Sequence, residues 1–527
     1  MKQHFQYIQL YGLCLLLALV TACRKDEGSY SYRDINELKI ENIPDEYEVK
    51  FGAKASLQPK LTFTKDGAED HYTYEWLIVD PNITSSAKLR VVHTGKDLDV
   101  DLKLVEGKYT AYYTVTEKAT GVTWQRNFRL AVAGAFIKKG WLVMSEVKGN
   151  TNISFLEEDM TRLGEYPVRH ADFVGKIADR TTNTPLELKG APRFLTTFAN
   201  TVSTAEPTSK LWIYAGASEG CEKINVSNGF VWKAASYSFK YETANNYPVA
   251  PQWVFSPSGQ MGYAYYNGEL FKAYAAQREM FGVPTSRLAT GEVYYVEPYM
   301  AIPRGNNMTA LMYDRDNKRF LKHGGSNVNF VAPLPANPNG FDPNNLGMDL
   351  VWMGHTTAFG GQAVALLKNP GGQYFLARMQ YSQQGAFSAL SLAEITVPEL
   401  KQGERFELEE RYGYLIYNVG GKLYRYDMDT KVNTLVKDYG ANAKVTLIKS
   451  GLNSALPPWT AVLNFPQSYN KTQLEPPILG VAVGVYDPAN ADTSGKLDVL
   501  DFSNPDVRTY YTLGGFGKVV DFDYINL

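Results

Sequence analysis

"GKYTAYYTVTEKATGVTWQRNFRLAV" (107–132) contains two runs of alternating bulky and polar side chains, Tyr109 to Thr116 and Thr123 to Val132. A period of two sends every second side chain to the same face, which is how a half-buried strand reads and how a helix does not. Thr120 and Gly121 stand between the runs, and Gly supplies turn conformations that other residues resist, so the segment predicts a β-hairpin. "YTYEWLIVD" (72–80) alternates in the same way, with Trp76 placed to fill the space between two sheets. Such short runs recur between turn residues from Leu38 to Val132, the pattern of an immunoglobulin-like sandwich, and a first domain is drawn at 37–135.

Past "FIKKG" (136–140) the pattern becomes a weak internal repeat, a Gly- or Asn-rich turn followed by an aromatic-polar strand. It reads "NGFVWKAAS" at 228, "NGELFKAYA" at 267, "DNKRFLKHG" at 316, "PGGQYFLAR" at 370 and "VGGKLYRYDMD" at 419, with starts 39, 49, 54 and 49 residues apart. "GNTNISFLEED" at 149 and "SGKLDVLDF" at 494 serve as first and last copies. Strand patterning repeated at this interval is what propeller blades produce, since each small sheet must bury its faces against its neighbours. The second domain, 141–527, is therefore expected to be a β-propeller of seven blades, with six or eight also compatible. Two stretches look unlike blade strands because Pro, Asn and Gly are dense in them: 333–355, ending on Trp352 and His355, and 450–477, which carries Trp459. They are expected to be long loops roofing one face, with Trp352, His355 and Trp459 as candidate contacts for a ligand or partner.

Composition agrees with an all-β chain. Tyr, Phe and Trp number 36, 25 and 8, residue types suited to pleated, half-buried strands. Lys plus Arg total 53 against 55 Asp plus Glu, which leaves no basic footprint for nucleic acid.

The first 22 residues read as an export signal. Lys2 and His4 precede the apolar run "LCLLLALV" (13–20), too short to span a bilayer and followed by small residues. "LVTAC" (19–23) resembles the lipobox of bacterial lipoproteins, which implies cleavage before Cys23 and fatty acylation of its thiol, with palmitate among the chains expected. Each buried methylene contributes about 0.8 kcal/mol, so a multiply acylated cysteine would hold the protein at a membrane by its lipid alone. Residues 23–36 are then a tether. Arg24 stands where an Asp would mark inner-membrane retention in that family, so the resemblance implies the outer membrane. Lys25, Asp26 and Glu27 resemble the export signal of lipoproteins displayed on the cell surface.

Chemistry is sparse. The six histidines, at 4, 71, 93, 170, 323 and 355, share no metal-ligand spacing, so no metal or cofactor is expected. "SPSGQ" (256–260) lacks the first Gly of a nucleophile elbow and reads as a hairpin turn. "DRDNKR" (314–319), "YDMDTKV" (426–432) and "YDPANADTSGKLD" (486–498) space acidic residues as a calcium loop might be imagined to, but turn chemistry accounts for them. Once Cys14 leaves with the leader and Cys23 is acylated, Cys221 is the one remaining thiol, with no base near it in the sequence. No catalytic residue is identified.

The lipobox, the acidic export signal, "YEW" (74–76) with the 107–132 hairpin, Glu117 where Asp is common, and "KKGWLVMSEV" (138–147) together resemble the PKD-like family of surface lipoproteins. The resemblance implies a non-catalytic accessory to a SusC/SusD-type transporter complex and its other surface lipoproteins, capturing an oligopeptide or glycan. Two other classes fit the sequence: a propeller-type glycoside hydrolase or lyase, which needs convergent carboxylates from different blades, and a structural or adhesive protein.

Overall fold

The computed structural model describes residues 36–526 apart from 51–52, 80–88, 103, 105–106, 135–138, 158–167, 180–183, 200–210, 227–229, 234–250, 259–260, 275–280, 283, 304–308, 326–327, 336–339, 383, 451–479 and 503–505. Cys23, Lys25, Asp26 and Glu27, and Trp459 with the rest of the stretch 451–477, lie outside them. Among the described residues strands dominate, helices are single 3₁₀ turns, and no helix is long and apolar enough to cross a membrane. The chain divides into two compact units, one built from 36–47, Ala55–Val100 and Tyr109–Leu130, the other from Glu48–Lys54, Asp101–Lys108 and the residues from Ala131 onward.

Among the described residues, nine strands precede residue 134: β1 (Leu38–Glu41), β2 (Glu46–Lys50), β3 (Lys54–Leu57), β4 (Lys60–Phe63), β5 (Tyr72–Val79), β6 (Leu89–Thr94), β7 (Leu98–Asp101), β8 (Gly107–Glu117) and β9 (Thr123–Ala133). They form a five-stranded sheet, β2-β9-β8-β5-β6, and two strand pairs, β1-β4 and β3-β7. The expected hairpin is β8 and β9. Its turn closes through Gly121 N–H donating to the Glu117 carbonyl, and Gly121 holds the left-handed φ of 72° that the turn requires. Trp76 on β5 is 1 % exposed, with its ring 4.4 Å from that of Tyr113 and 6.0 Å from that of Phe128, and its Nε1–H donates to the Gly95 carbonyl at 3.0 Å. Replacing so large a buried ring leaves a cavity, so Trp76→Ala should destabilise the first unit by about 3–5 kcal/mol. Chemical denaturation of the full chain, followed by Trp fluorescence and far-UV circular dichroism, checks this; an unmoved first transition would contradict the packing.

The second unit is a succession of antiparallel sheets. The first contains β10 (Lys139–Val147), β11 (Asn150–Glu157) and β12 (Val168–His170), and the second β13 (Pro192–Ala199), β14 (Leu211–Ala217) and β15 (Gly220–Asn225). Next come β16 (Trp253–Ser258), β17 (Met261–Tyr266) and β18 (Glu269–Tyr274), then β19 (Ala310–Asp314), β20 (Arg319–His323) and β21 (Val331–Pro333). The fifth holds β22 (Asp349–Thr356), β23 (Gln362–Lys368), β24 (Tyr374–Tyr381) and β25 (Phe387–Glu394). The sixth holds β26 (Arg405–Leu408), β27 (Leu415–Val419), β28 (Lys422–Tyr426) and β29 (Asn433–Asp438), and the seventh β30 (Lys444–Ser450), β31 (Gly480–Tyr486), β32 (Gly495–Asp501) and β33 (Arg508–Phe516). The final strand, β34 (Lys518–Asn526), does not extend the seventh sheet. It pairs with β10, so that the first sheet is ordered β12-β11-β10-β34. Isolated bridges lengthen the three-stranded sheets: Val231 returns to Asn225, Pro284 lies against Phe271, and Ala301 against Leu311.

Apolar packing runs between consecutive sheets. One cluster covers the first three, and others join the third to the fourth, fourth to fifth, fifth to sixth and sixth to seventh. A further cluster sets Trp141, Val143 and Phe522 of the first sheet against Ala482, Leu497 and Leu513 of the seventh. Several edge strands of these sheets are neighbours: β34 lies beside β13, β13 beside β16, β22 beside β26, β26 beside β30, and β30 beside β34.

Six of the seven repeat marks fall on one structural position, the hairpins β10–β11, β17–β18, β19–β20, β23–β24, β27–β28 and β31–β32. The mark at 228 does not. The equivalent hairpin is β14–β15, turning through Ser218 and Glu219, whereas 230–232 lie after β15. A Gly-containing turn before an aromatic strand is compatible with any hairpin, so the nearest Asn-Gly was the wrong choice.

Stretch 333–355 also differs from its expected loop. Its Pro- and Asn-rich part ends before Asp349, and "DLVWMGHT" (349–356) is β22, paired along its length with β23. Leu334, Phe341, Leu346 and Met348 of the preceding segment pack on the core between the fourth and fifth sheets instead of roofing a face.

Candidate functional site

Charged residues in these edge strands are the groups that packing does not explain. β34 reads "KVVDFDYIN", so the period of two puts Asp521 and Asp523 on one face and Phe522 on the other. Both carboxylates reach β13 of the next sheet. Asp521 Oδ2 accepts the Leu195 N–H at 2.8 Å, and Asp523 Oδ2 accepts the Thr197 N–H at 2.7 Å. Leu195 and Thr197 are two apart, so the two acids satisfy backbone donors along the strand edge that faces away from β14. The carboxylates do there what another strand would do, at charge-assisted strength.

Lys449, on β30, approaches from the other side. Its Nζ donates to Asp521 Oδ1 at 3.0 Å and to the Phe522 carbonyl at 2.6 Å, and lies 5.0 Å from the centre of the Phe522 ring. Burial works to lower the Lys449 pKa, but the charges of Asp521 and Asp523 outweigh it and hold the value above the ordinary lysine range. Burial pushes Asp523 above the usual carboxylate range, offset in part by Lys449 and by hydrogen bonds from Thr197. Lys449 keeps 34 % of its side chain accessible.

Polar links of the same kind join other edge strands. Ser450 Oγ donates to Glu407 Oε1 at 2.8 Å between β30 and β26, and Arg405 Nε donates to the Val445 carbonyl at 3.4 Å. Thr356 Oγ1 donates to the Glu409 carbonyl at 2.9 Å, from the end of β22 to the residue after β26. Chemically, this arrangement links three carboxylates, those of Glu407, Asp521 and Asp523, through the Lys449 ammonium and the Ser450 hydroxyl. Asp521 has both oxygens engaged by N–H donors, including Phe522 N–H at 2.8 Å on Oδ1, which suits it to holding sheets together more than to moving protons.

Of the residues singled out in the sequence, Trp352 and His355 do not meet there, and Trp459 lies outside the described residues. Trp352 is 7 % exposed on β22, packed in the core between the fifth and sixth sheets with its ring 6.2 Å from that of Phe406. It is a core residue because β22 is a paired strand whose alternate positions point inward. His355, half-buried on the same strand, has its Nε2 3.0 Å from the Tyr381 carbonyl. The structure thus brings Trp352 and His355 into one sheet but presents neither as a surface anchor. Cys221 is buried, and burial pushes its thiol well above its ordinary range, which leaves little nucleophilic thiolate.

The spaced acidic residues take up turn roles. Asp314 accepts from the Asp316 and Asn317 N–H groups and from Arg319, and Asp427 from the Asp429 and Thr430 N–H groups. Asp487 accepts from Ala489 N–H. Among the described residues, no group of three or more His, Cys, Asp or Glu side chains could hold a metal ion.

Sequence reasoning passed over Lys449, Asp521 and Asp523. The available signal was charge on strands otherwise built of Val, Ile, Leu and Phe, in "KVTLIKS" and "KVVDFDYIN".

Comparison with known proteins adds the following. No curated protein matches the chain. Among solved structures, a quinoprotein alcohol dehydrogenase-like protein from Bacteroides thetaiotaomicron aligns over 92 % of this chain and 98 % of its own, with 10 % identity and a TM-score of 0.45. The extracellular domain of a one-component system from the same organism aligns over 91 % of this chain and 69 % of its own, with 11 % identity and a TM-score of 0.36. Dipeptidyl peptidase 4 from Porphyromonas gingivalis aligns over 72 % and 60 %, with 10 % identity and a TM-score of 0.32. The model of the PKD-like family matches residues 23–182, past the expected edge at 135 and through β10, β11 and β12. The N-terminal part of the chain, residues 23–182, is therefore a PKD-like family domain.

Proposed function

We propose that the chain is a lipid-anchored protein of the outer membrane, displayed on the cell surface, and a non-catalytic binding component of a SusC/SusD-type uptake system for oligopeptides or glycans. The observation that carries this reading is "LVTAC" (19–23) directly ahead of a PKD-like domain whose family match itself begins at Cys23. In this reading the second unit is a seven-bladed β-propeller. The sequence of small antiparallel sheets, the neighbouring edge strands and the pairing of β34 with β10 support it, since a propeller joins its two chain ends in one blade. The engagement of Asp521 by backbone and lysine donors supports binding over catalysis.

Cys23→Ala should leave the protein unlabelled by radioactive palmitate and move it from the membrane to the soluble fraction. Replacing Lys25, Asp26 and Glu27 together by Ala should protect the protein from protease added to intact cells. A Cys23→Ala protein that still sediments with outer membranes would refute the anchor.

The second reading, a propeller-type hydrolase or lyase, is favoured by one observation: Glu407 lies on a different sheet from Asp521 and Asp523, and Lys449 and Ser450 of β30 bridge to both. Asp523→Asn separates the two readings, because a catalytic carboxylate would lose turnover on an oligosaccharide that the native protein cleaves.

A further inference from the structure

The first unit carries a cleft of about 230 Å³ lined by Leu61, Phe63, Lys65, Glu69, Tyr74 and Lys96. Its walls come from parts of the sandwich that local hydrogen bonds hold in place. Leu61 and Phe63 are alternate residues of β4, so the period of two sends both to one face, where each is half-buried. Tyr74 belongs to β5, and the Gly95 N–H donates to its carbonyl at 3.2 Å, which sets the next residue, Lys96, at the cleft. The Lys65 N–H donates to Oδ1 of the buried Asn36 at 2.9 Å, fixing the loop after β4. Glu69 opens the 3₁₀ turn Glu69–His71 and is bound by the Lys96 ammonium. Gly67 adds no side chain to the lining; a Cβ there would come within 3.1 Å of Phe63 Cδ2.

Charge, hydrogen-bonding capacity and size each narrow the occupant. Lys65 and Lys96 set two ammonium groups against the one carboxylate of Glu69, so a cation meets net repulsion there and an anion net attraction. The acids on either side, Asp66 and Asp70, approach His71 and do not line the cleft. An ammonium carries three donors, and the bond from Lys96 to Glu69 uses one of them, so the lining is richer in donors than in acceptors. The ligand therefore brings acceptors. Leu61, Phe63 and the Tyr74 ring ask for an apolar group beside them. A void of about 150 Å³ is enough for benzene, so this cleft has room for a carboxylate and one side chain, and the rest of a longer ligand stays outside. A carboxylate next to a single apolar side chain is the end of a peptide. A uronic acid has the same charge but surrounds it with hydroxyls, for which Leu61 and Phe63 offer no partner.

We infer that this cleft captures the C-terminal residue of a peptide, with the terminal carboxylate on Lys65 and Lys96 and an apolar side chain on Leu61, Phe63 and Tyr74. This names the oligopeptide, over the glycan, as cargo for the uptake role proposed above and rests on that reading for its purpose, while its chemistry rests on the cleft alone. The test is isothermal titration calorimetry of the full chain with acetyl-Ala-Phe, with the C-terminal amide of the same dipeptide, and with galacturonate. The free acid should bind, and more weakly as salt rises. The amide should bind roughly tenfold more weakly or worse, because a charge-assisted contact becomes a neutral one, and galacturonate should also bind more weakly than the free acid. Lys65→Met and Lys96→Met should each weaken binding of the acid roughly tenfold. Neither should move the unfolding midpoint, since Lys65 is exposed and the Lys96–Glu69 pair lies at the surface, where ion pairs contribute little to stability. Equal binding of acid and amide, tighter binding of galacturonate, or no binding of the free acid overturns the assignment. So does undiminished binding by either variant, or a loss that only parallels falling stability. Failure of the uptake reading would appear elsewhere, as an unlabelled Cys23, and leaves these outcomes unchanged.

Discussion

A chain that stops at Gly517 is expected not to fold its second unit cooperatively. The nine residues of β34 carry Val519, Phe522 and Ile525, each about 1 % exposed or less, and eight partner positions on β10. Burying three such side chains contributes roughly 1.5–3 kcal/mol each, and the strand also supplies the acids on β13. Together these are comparable with the whole stability of a typical domain, about 5–15 kcal/mol. The truncated protein should show a broad, low-amplitude thermal transition and bind a hydrophobic dye, both readable by calorimetry and fluorescence. A sharp transition at the native midpoint would mean that the first sheet is complete without β34.

Lys449→Met should destabilise the second unit by leaving the acids of β34 without their ammonium. Breaking a buried pair leaves charge uncompensated and costs about 3–5 kcal/mol; with a third of Lys449 accessible, water screens part of that, and about 2–3 kcal/mol is expected. The loss should depend on pH. Asp523 already binds its proton more tightly in the folded protein than an ordinary carboxylate does, and removing the lysine raises its affinity further. A raised carboxylate favours the fold below its unfolded pKa, and the benefit disappears as pH rises through the folded value. The variant should therefore be weakest near neutrality and recover toward native stability below the carboxylate range. Native Lys449, itself raised, should keep its contribution until strongly alkaline pH. Adding Asp523→Asn to Lys449→Met should restore part of the loss at pH 7. Urea denaturation of the three proteins at pH 4, 7 and 9 checks the pattern, and equal losses at every pH would assign Lys449 a packing role only.

Much of the architecture was legible because strand periodicity is local. The β8–β9 hairpin, the burial of Trp76 and six of seven repeat hairpins follow from alternation and turn residues within about ten positions of each other. Cross-sheet relations are not local. Nothing near Asp521 announces the Leu195 N–H, and nothing near Lys449 announces Asp521, because their partners depend on how whole sheets are arranged. Trp352 shows the opposite error. Pro and Asn upstream coloured the reading of a segment whose last eight residues, "DLVWMGHT", form an ordinary paired strand. Composition averaged over twenty residues hides such a boundary, and a window of strand length would have found it.

The pairing of β34 with β10 also sets an order of events in time. Lys518 and Glu146, bonded at 3.0 Å, are 372 positions apart in the chain, so their meeting must await synthesis of nearly everything between them. Closing so long a loop is entropically slow. Until it happens, β10 exposes an unpaired edge that invites aggregation. The second unit therefore cannot lock before its tail has left the ribosome, and under the export proposed above that delay would keep the chain fit for translocation. Variants that slow the β10–β34 encounter should first reveal themselves as degraded chains, before any change in the function of the molecules that do mature.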